Sequence, residues 1–194
     1  MVISLRSPRM ASPANPFYSK KRAAKLGVLY ERPEDGDLIV MAGSLQDKYA
    51  PHGVCFGCGP KNAHGLRLKS LPVGDAVVSD WKPKPHHVAF GRFGSGGIIS
   101  VLMDCQGNWA AAYALMRSRN LSSPPGTVTA EYTVKFLHPS PIDKKWRVRA
   151  WATKVDGDMA NVSGELKVNG TITATMTGLF VAVKESHPAF YRWH

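Results

Sequence analysis

The sequence predicts an α+β domain in which an antiparallel sheet wraps around one long central helix. Three observations carry that expectation. Ile98 to Met116 repeats apolar residues at spacings of three and four, the period of a helix face. Four later segments alternate with period two or run apolar between turn signals, as strands do. Two short strand-like segments precede the helix, and the simplest layer packing for this order is a sheet curved over the helix.

Composition sets the outer limits. Of the 194 residues, 44% are apolar and 20% charged, enough to bury a core and too apolar for wholesale disorder. No apolar run reaches the roughly 18 residues of a membrane helix, so no membrane span is expected. The net charge is +11, but six basic residues and no acidic one fall within residues 1–30: Arg6, Arg9, Lys20, Lys21, Arg22 and Lys25. The rest of the chain is only mildly basic, which argues against a nucleic-acid-binding domain. Phe17 and Tyr18 beside Lys20-Lys21-Arg22 have the make-up of a single-strand contact, but a solvated arm explains them more simply. The expected organisation is a basic, partly flexible extension over 1–50, a folded domain over 51–184 beginning near Gly53, and a C-terminal tail over 185–194. Within the extension, Ser19 to Leu29 reads as a short helix and Arg32 to Asp37 as a turn-rich linker. Three cysteines are too few and too odd in number for a disulfide framework, so a reducing, cytoplasmic location is expected. The acid-free N-terminus offers an organellar destination as the alternative.

The elements follow in order. Residues 65–71 and 74–81 read as strands parted by a turn at Pro72-Val73-Gly74, with Pro83 and Pro85 ending the second. Gly91, Gly94, Gly96 and Gly97 then lead into the helix. Ile98, Leu102, Cys105, Trp109, Ala112, Tyr113 and Met116 mark one face; the other is also mostly small or apolar, the pattern of a helix buried all round. Its Trp109, Tyr113, Met103 and Met116 are read as core rather than as a substrate tunnel. Arg117 lies where the helix dipole favours a cation. In Thr127–Phe136, Val128, Ala130, Tyr132, Val134 and Phe136 share one face. Residues 145–155, 159–168 and 171–183 are three more strands, joined at Asp156-Gly157-Asp158 and at Asn169-Gly170, the dipeptide of a two-residue hairpin.

One residue in this pattern is out of place. From Phe93 to Met116 the single charge is Asp104. A carboxylate on a buried helix costs several kcal/mol unless paired or hydrogen-bonded. No Lys or Arg stands three or four residues away, so Asp104 is a candidate acid–base group with a tunable pKa. Gly96-Gly97 at the helix start supplies the second part. First-turn N–H groups lack internal partners, and glycine lets a ligand approach them. A carbonyl oxygen at the N–H of Gly97, with Asp104 of a second subunit at the carbonyl carbon or its water, makes a hydrolytic arrangement. Cys55-x-x-Cys58 with His52 and His64 has metal-ligand residue types at nearly zinc-like spacing, and Cys105 offers a third thiolate. No second C-x-x-C follows, so no metal is expected.

Several of these residues also resemble a known family. Cys55-Phe-Gly-Cys-Gly59 with Asn62 and Gly65-Leu66 resembles the segment C-x-x-C-G-x-x-N-x-x-G-L of one branch of the hotdog thioesterases. Gly96-Gly97-Ile98 with Asp104 resembles its H-G-G-I-x-x-x-x-x-D helix start, and Thr129-Ala130 through Val134, Phe136 and Pro139 its following strand. The resemblance, over about residues 53–183, is to the PaaI-like acyl-CoA thioesterases. It implies a hotdog fold, pairing into a dimer or tetramer, and hydrolysis of an acyl-CoA thioester to a free acid and CoA with no other cofactor. By resemblance the catalytic positions are Asp104 (general base or nucleophile), Gly97 (oxyanion site), Thr129 (orienting water) and Ser95. Gly96, His87, Phe90 and Asn108 are the expected substrate contacts. Arg147, Arg149 and Lys154 are candidates for the CoA phosphates. Ser95 stands where the family has His, Cys105 where relatives are often acidic, and His138 where an Arg is usual. The alternative implied is a non-catalytic acyl-CoA-binding hotdog protein.

Overall fold

The computed structural model describes residues 43–193 and the backbone of two short strands before them, β1 (Tyr30–Glu31) and β2 (Ile39–Val40), which pair antiparallel. The expected helix at Ser19–Leu29 and linker at Arg32–Asp37 lie outside the described residues. No helix among those described is long and apolar enough to cross a membrane.

The folded domain begins before Gly53. Ser44 caps a short helix, α1 (Leu45–Tyr49), its hydroxyl accepting from the N–H of Asp47 at 3.1 Å. Leu45 and Ala50 join the core, and Gln46 is fully buried. Strands β3 (Leu71–Val73) and β4 (Ala76–Trp81) follow. The first is shorter than residues 65–71, and the turn falls at Gly74-Asp75 instead of Pro72. Pro72 sits inside β3, an edge strand, where a missing N–H breaks no ladder; Gly74 at φ +61° takes the left-handed position of the turn. A 3₁₀ turn (Pro85–His87) leads into a small hairpin of β5 (Val88–Phe90) and β6 (Phe93–Gly94).

The long helix, α2, spans Gly96–Ser118. Four antiparallel strands complete the domain: β7 (Thr127–Phe136), β8 (Trp146–Asp156), β9 (Met159–Val168) and β10 (Thr171–Ala182). The six-stranded sheet runs β3-β4-β8-β9-β10-β7 and wraps α2, the hotdog arrangement expected. Asn169 and Gly170 both take positive φ (49° and 78°), the geometry of the two-residue turn that their pairing predicts.

The core fills the space between helix and sheet. Leu102, Met103, Trp109 and Leu115 of α2 meet Trp146, Val148, Leu166, Met176 and Phe180 of the sheet, and each is buried. Full burial of a Leu or Met side chain contributes about 1.5–3 kcal/mol. At Gly107 the helix comes so near the sheet that a Cβ would lie 2.5 Å from the Met176 methyl and 2.7 Å from Phe180. The helix is not buried all round, however. Gly97 is exposed, and Ser100, Val101 and Asp104 on the same stripe are half-buried. β7 likewise does not alternate cleanly: Thr127 is buried, Thr129 half-buried and residues 130–133 exposed, because this edge strand has neither face fully covered.

Residues 185–193 fold back onto the domain. The Trp193 ring lies 4.2 Å from that of Trp109 and its indole N–H donates to the Pro125 carbonyl at 3.0 Å. Arg192 donates to the carbonyl of Thr127 at 2.6 Å.

Candidate active site

Asp104 sits on the third turn of α2, where the helix passes beneath the start of β7. The Thr129 hydroxyl donates to its Oδ1 at 2.6 Å. Thr129 Oγ1 accepts a long bond from Asn108 Nδ2, at 3.4 Å, and Asn108 Oδ1 accepts from Thr127 at 2.6 Å. The chain Thr127–Asn108–Thr129–Asp104 exists because positions 104 and 108 share a helix face and positions 127 and 129 share a strand face. Burial is the main cause holding the Asp104 carboxyl above the usual carboxylate range; the Thr129 hydrogen bond and the Arg192 guanidinium oppose it, and Cys55 adds to it.

Each expected site residue has a definite place. Ser95 is the N-cap of α2 in extended conformation (φ −65°, ψ 132°), and its hydroxyl makes no capping bond. Its N–H donates to the His87 carbonyl at 2.8 Å, which fixes where the helix begins. The exposed Gly97 has open space: among the described residues, a Cβ there would meet only Ser95 Oγ, at 3.6 Å. At Gly96 a Cβ would lie 3.4 Å from the Phe136 ring. Phe90 is 66% exposed on the β5–β6 hairpin, its ring 5.8 Å from Phe93.

Two expected substrate contacts turn out to be internal. Asn108 is buried and its amide is engaged by both threonines. His87 is 6% exposed, stacks on Trp81 at 5.0 Å, and accepts the N–H of Lys84 at its Nδ1, 2.9 Å away. Among the phosphate candidates, Arg147 forms a two-pronged pair with Asp80 (2.8 and 3.1 Å), Arg149 lies over the Trp151 ring at 5.1 Å, and Lys154 pairs with Asp156 at 3.1 Å. Asp80 reaches Arg147 from the neighbouring strand β4, whereas Trp151 and Asp156 lie two residues along β8 from Arg149 and Lys154.

His87 also predicts a pH effect. Burial first, then the charges of His86 and Lys84, holds its pKa below the ordinary 6.5. The unfolded chain therefore takes up this proton before the folded one does. Its contribution is fully present above about pH 6.5 and is lost as pH falls. His87→Asn, which retains an acceptor for Lys84, is expected to show a flatter fall of the urea midpoint in that range. Parallel profiles would overturn this.

Three participants escaped the sequence reading. Thr127 was findable, lying two residues before Thr129 on one strand face. Tyr132 reaches the surroundings of Asp104, with burial as the main reason its pKa is raised, the Asp104 charge next, and Ser100 offering a hydrogen bond. Arg192 approaches Asp104 from the C-terminal segment, 88 positions along the chain; no local signal marks it.

No protein-family model matches the chain, and no curated protein does. Solved structures do. A thioesterase superfamily protein aligns at TM-score 0.56 and 19% identity over 66% of this chain; the match spans 59% of that protein's length. A thioesterase superfamily protein from Shewanella loihica aligns at TM-score 0.53 and 27% identity, over 64% of this chain and 98% of the other. The E. coli PaaI protein from the phenylacetic acid degradation operon aligns at TM-score 0.53 and 13% identity, over 61% and 81%.

Proposed function

We infer that this domain, which has the hotdog fold of the PaaI-like thioesterase group, hydrolyses acyl-CoA thioesters to a free acid and CoA. The observation that carries the reading is a half-buried carboxylate with a hydroxyl donor on one oxygen, two helical turns below an open helix N-terminus. In this reaction the thioester carbonyl oxygen accepts from the N–H of Gly97, where the helix dipole stabilises the developing oxyanion. Thr129 occupies Oδ1 of Asp104, and Oδ2 takes a proton from the attacking water, or the carboxylate attacks the carbonyl itself. Ser95, whose hydroxyl makes no capping bond at the same helix end, adds a donor where relatives carry His.

One chain does not complete this site. Gly97 and Asp104 are seven residues apart on α2, about 10 Å along the axis, too far for both to touch one carbonyl group. The site is therefore shared between two copies, Gly97 of one facing Asp104 of the other. β7 supports such pairing: it ends the sheet, and Tyr132, Phe136 and Leu137 on and beside it are 38%, 56% and 50% exposed.

Mixing two disabled chains tests the shared site. Gly97→Val blocks the approach to the N–H at a position with room for the side chain, and Asp104→Asn removes the base. Each variant alone is expected to be inactive on a panel of short, medium, long and aromatic acyl-CoAs. Their co-refolded mixture should regain about a quarter of wild-type rate, since half the dimers then hold one intact site. A mixture as inactive as its parents would overturn the shared site. Wild-type binding of acyl-CoA without turnover on any member of the panel would instead favour a non-catalytic acyl-CoA-binding protein.

A further inference from the structure

A second constellation lies beside the candidate active site and has no part in the hydrolysis. Cys55, Cys58 and Cys105 are free thiols whose sulfurs all fall within 4.8 Å of one another, with Cys55 Sγ 3.7 Å from Cys105 Sγ. Cys55 and Cys58 belong to the loop before the sheet and Cys105 to the middle of α2. We propose that these three cysteines form a thiolate site for a zinc ion, with the fourth coordination position open to the adjoining cavity.

The geometry suits that ion. Zinc bound tetrahedrally with Zn–S bonds of about 2.3 Å sets its sulfurs roughly 3.8 Å apart. The loop has the build of a metal knuckle. The Cys55 carbonyl accepts from the N–H of Gly59 at 2.8 Å, closing the turn. The indole N–H of Trp109 donates to Cys58 Sγ at 3.3 Å. Donors aimed at sulfur gain little from neutral thiols and much from thiolates, and they hold metal ligands in place. Gly57 shows how tightly the loop is set against the helix: a Cβ there would lie 2.3 Å from Cys105 Sγ.

The fourth position has somewhere to open. A cavity of about 350 Å³ is lined by Cys55, Cys58, Trp109, Arg192 and Trp193. Water from it completes the shell, and Arg192 faces the single negative charge that three thiolates leave on a divalent zinc. His52 and His64 do not belong to the cluster. On binding, three S–Zn bonds replace S–H bonds, and each coordinated thiol that was protonated releases its proton to solvent. The metal ties loop 55–59 to the helix turn that carries Asp104.

Cobalt substitution on the full-length protein, purified metal-free under reducing conditions, tests the site. Co²⁺ is expected to give thiolate-to-metal charge-transfer absorption that saturates at one ion per chain and is abolished by Zn²⁺. Zinc should also raise the Tm of the wild type. Cys55→Ser, at a half-exposed position outside the core, is expected to keep its fold by circular dichroism, weaken binding at least roughly tenfold, and lose the zinc-dependent Tm shift. Cys105→Ser should do the same if it folds. No charge-transfer band, a band unchanged in Cys55→Ser, or a Cys55–Cys105 disulfide found by mass spectrometry in the reduced preparation would each overturn the proposal. Binding of Cu(I) with exclusion of Zn²⁺ and Co²⁺ would overturn the zinc assignment.

Discussion

Asp104→Asn is expected to fold like the wild type and to lose thioester hydrolysis by at least about a hundredfold, the low end for removing a positioned acid–base group. The substitution is well matched to its surroundings. Asparagine keeps an oxygen to accept the Thr129 hydroxyl, so the chain through Asn108 to Thr127 persists. The half-buried carboxylate costs desolvation, as its raised pKa records, so a neutral amide does not weaken the helix. What disappears is the lone pair that takes the proton from water or attacks the carbonyl. Release of free CoA, followed with a thiol reagent, reads the effect directly. The reagent also labels accessible cysteines, so a control without substrate runs alongside. Turnover like that of the wild type in Asp104→Asn would remove this residue from the chemistry and with it the proposed mechanism.

The second large effect is expected on stability, from Gln106→Leu. Gln106, Gln46 and Ser70 are each fully buried. The Ser70 hydroxyl donates to Gln106 Oε1 and accepts from Gln46 Nε2, both at 2.9 Å, and Gln106 Nε2 donates to the Val148 carbonyl at 3.2 Å. The Ser70 N–H donates to Gln46 Oε1 at 2.7 Å. This network joins α1, the segment before β3, α2 and β8 through the middle of the core. Leucine preserves most of the volume but removes the acceptor of the Ser70 hydroxyl proton and a donor to the Val148 carbonyl. At about 1–3 kcal/mol for each of the two hydrogen bonds lost, the loss should be roughly 2–6 kcal/mol. Urea unfolding should show a lower midpoint at unchanged slope. A change under about 0.5 kcal/mol, the range of a surface substitution, would show that the network contributes nothing net.

Gln106 also shows where sequence reading stops. It lies on a helix whose pattern predicts burial, but its partners stand 36 and 42 positions away, and no pattern near residue 106 announces them. Asn108 is the same case at the site: two threonines of β7, 19 and 21 positions away, engage its amide. His87, placed near the glycine-rich helix start by sequence distance, is drawn into a stack with Trp81.

By itself the sequence determined the order of elements, the long helix, the Asn169-Gly170 hairpin, the chain's hotdog architecture and the isolation of Asp104. These are legible because period, turn chemistry and a solitary charge are written in neighbouring residues. Only the tertiary structure decided that Thr129 meets Asp104, that Arg192 approaches it from the far end of the chain, and that Cys105 closes on Cys55 and Cys58. Those meetings depend on strand register, on which face of α2 the sheet covers, and on where the loop and the C-terminal segment dock. Packing of the whole chain sets all three, because a contact between distant residues forms only when every layer between them has found its place.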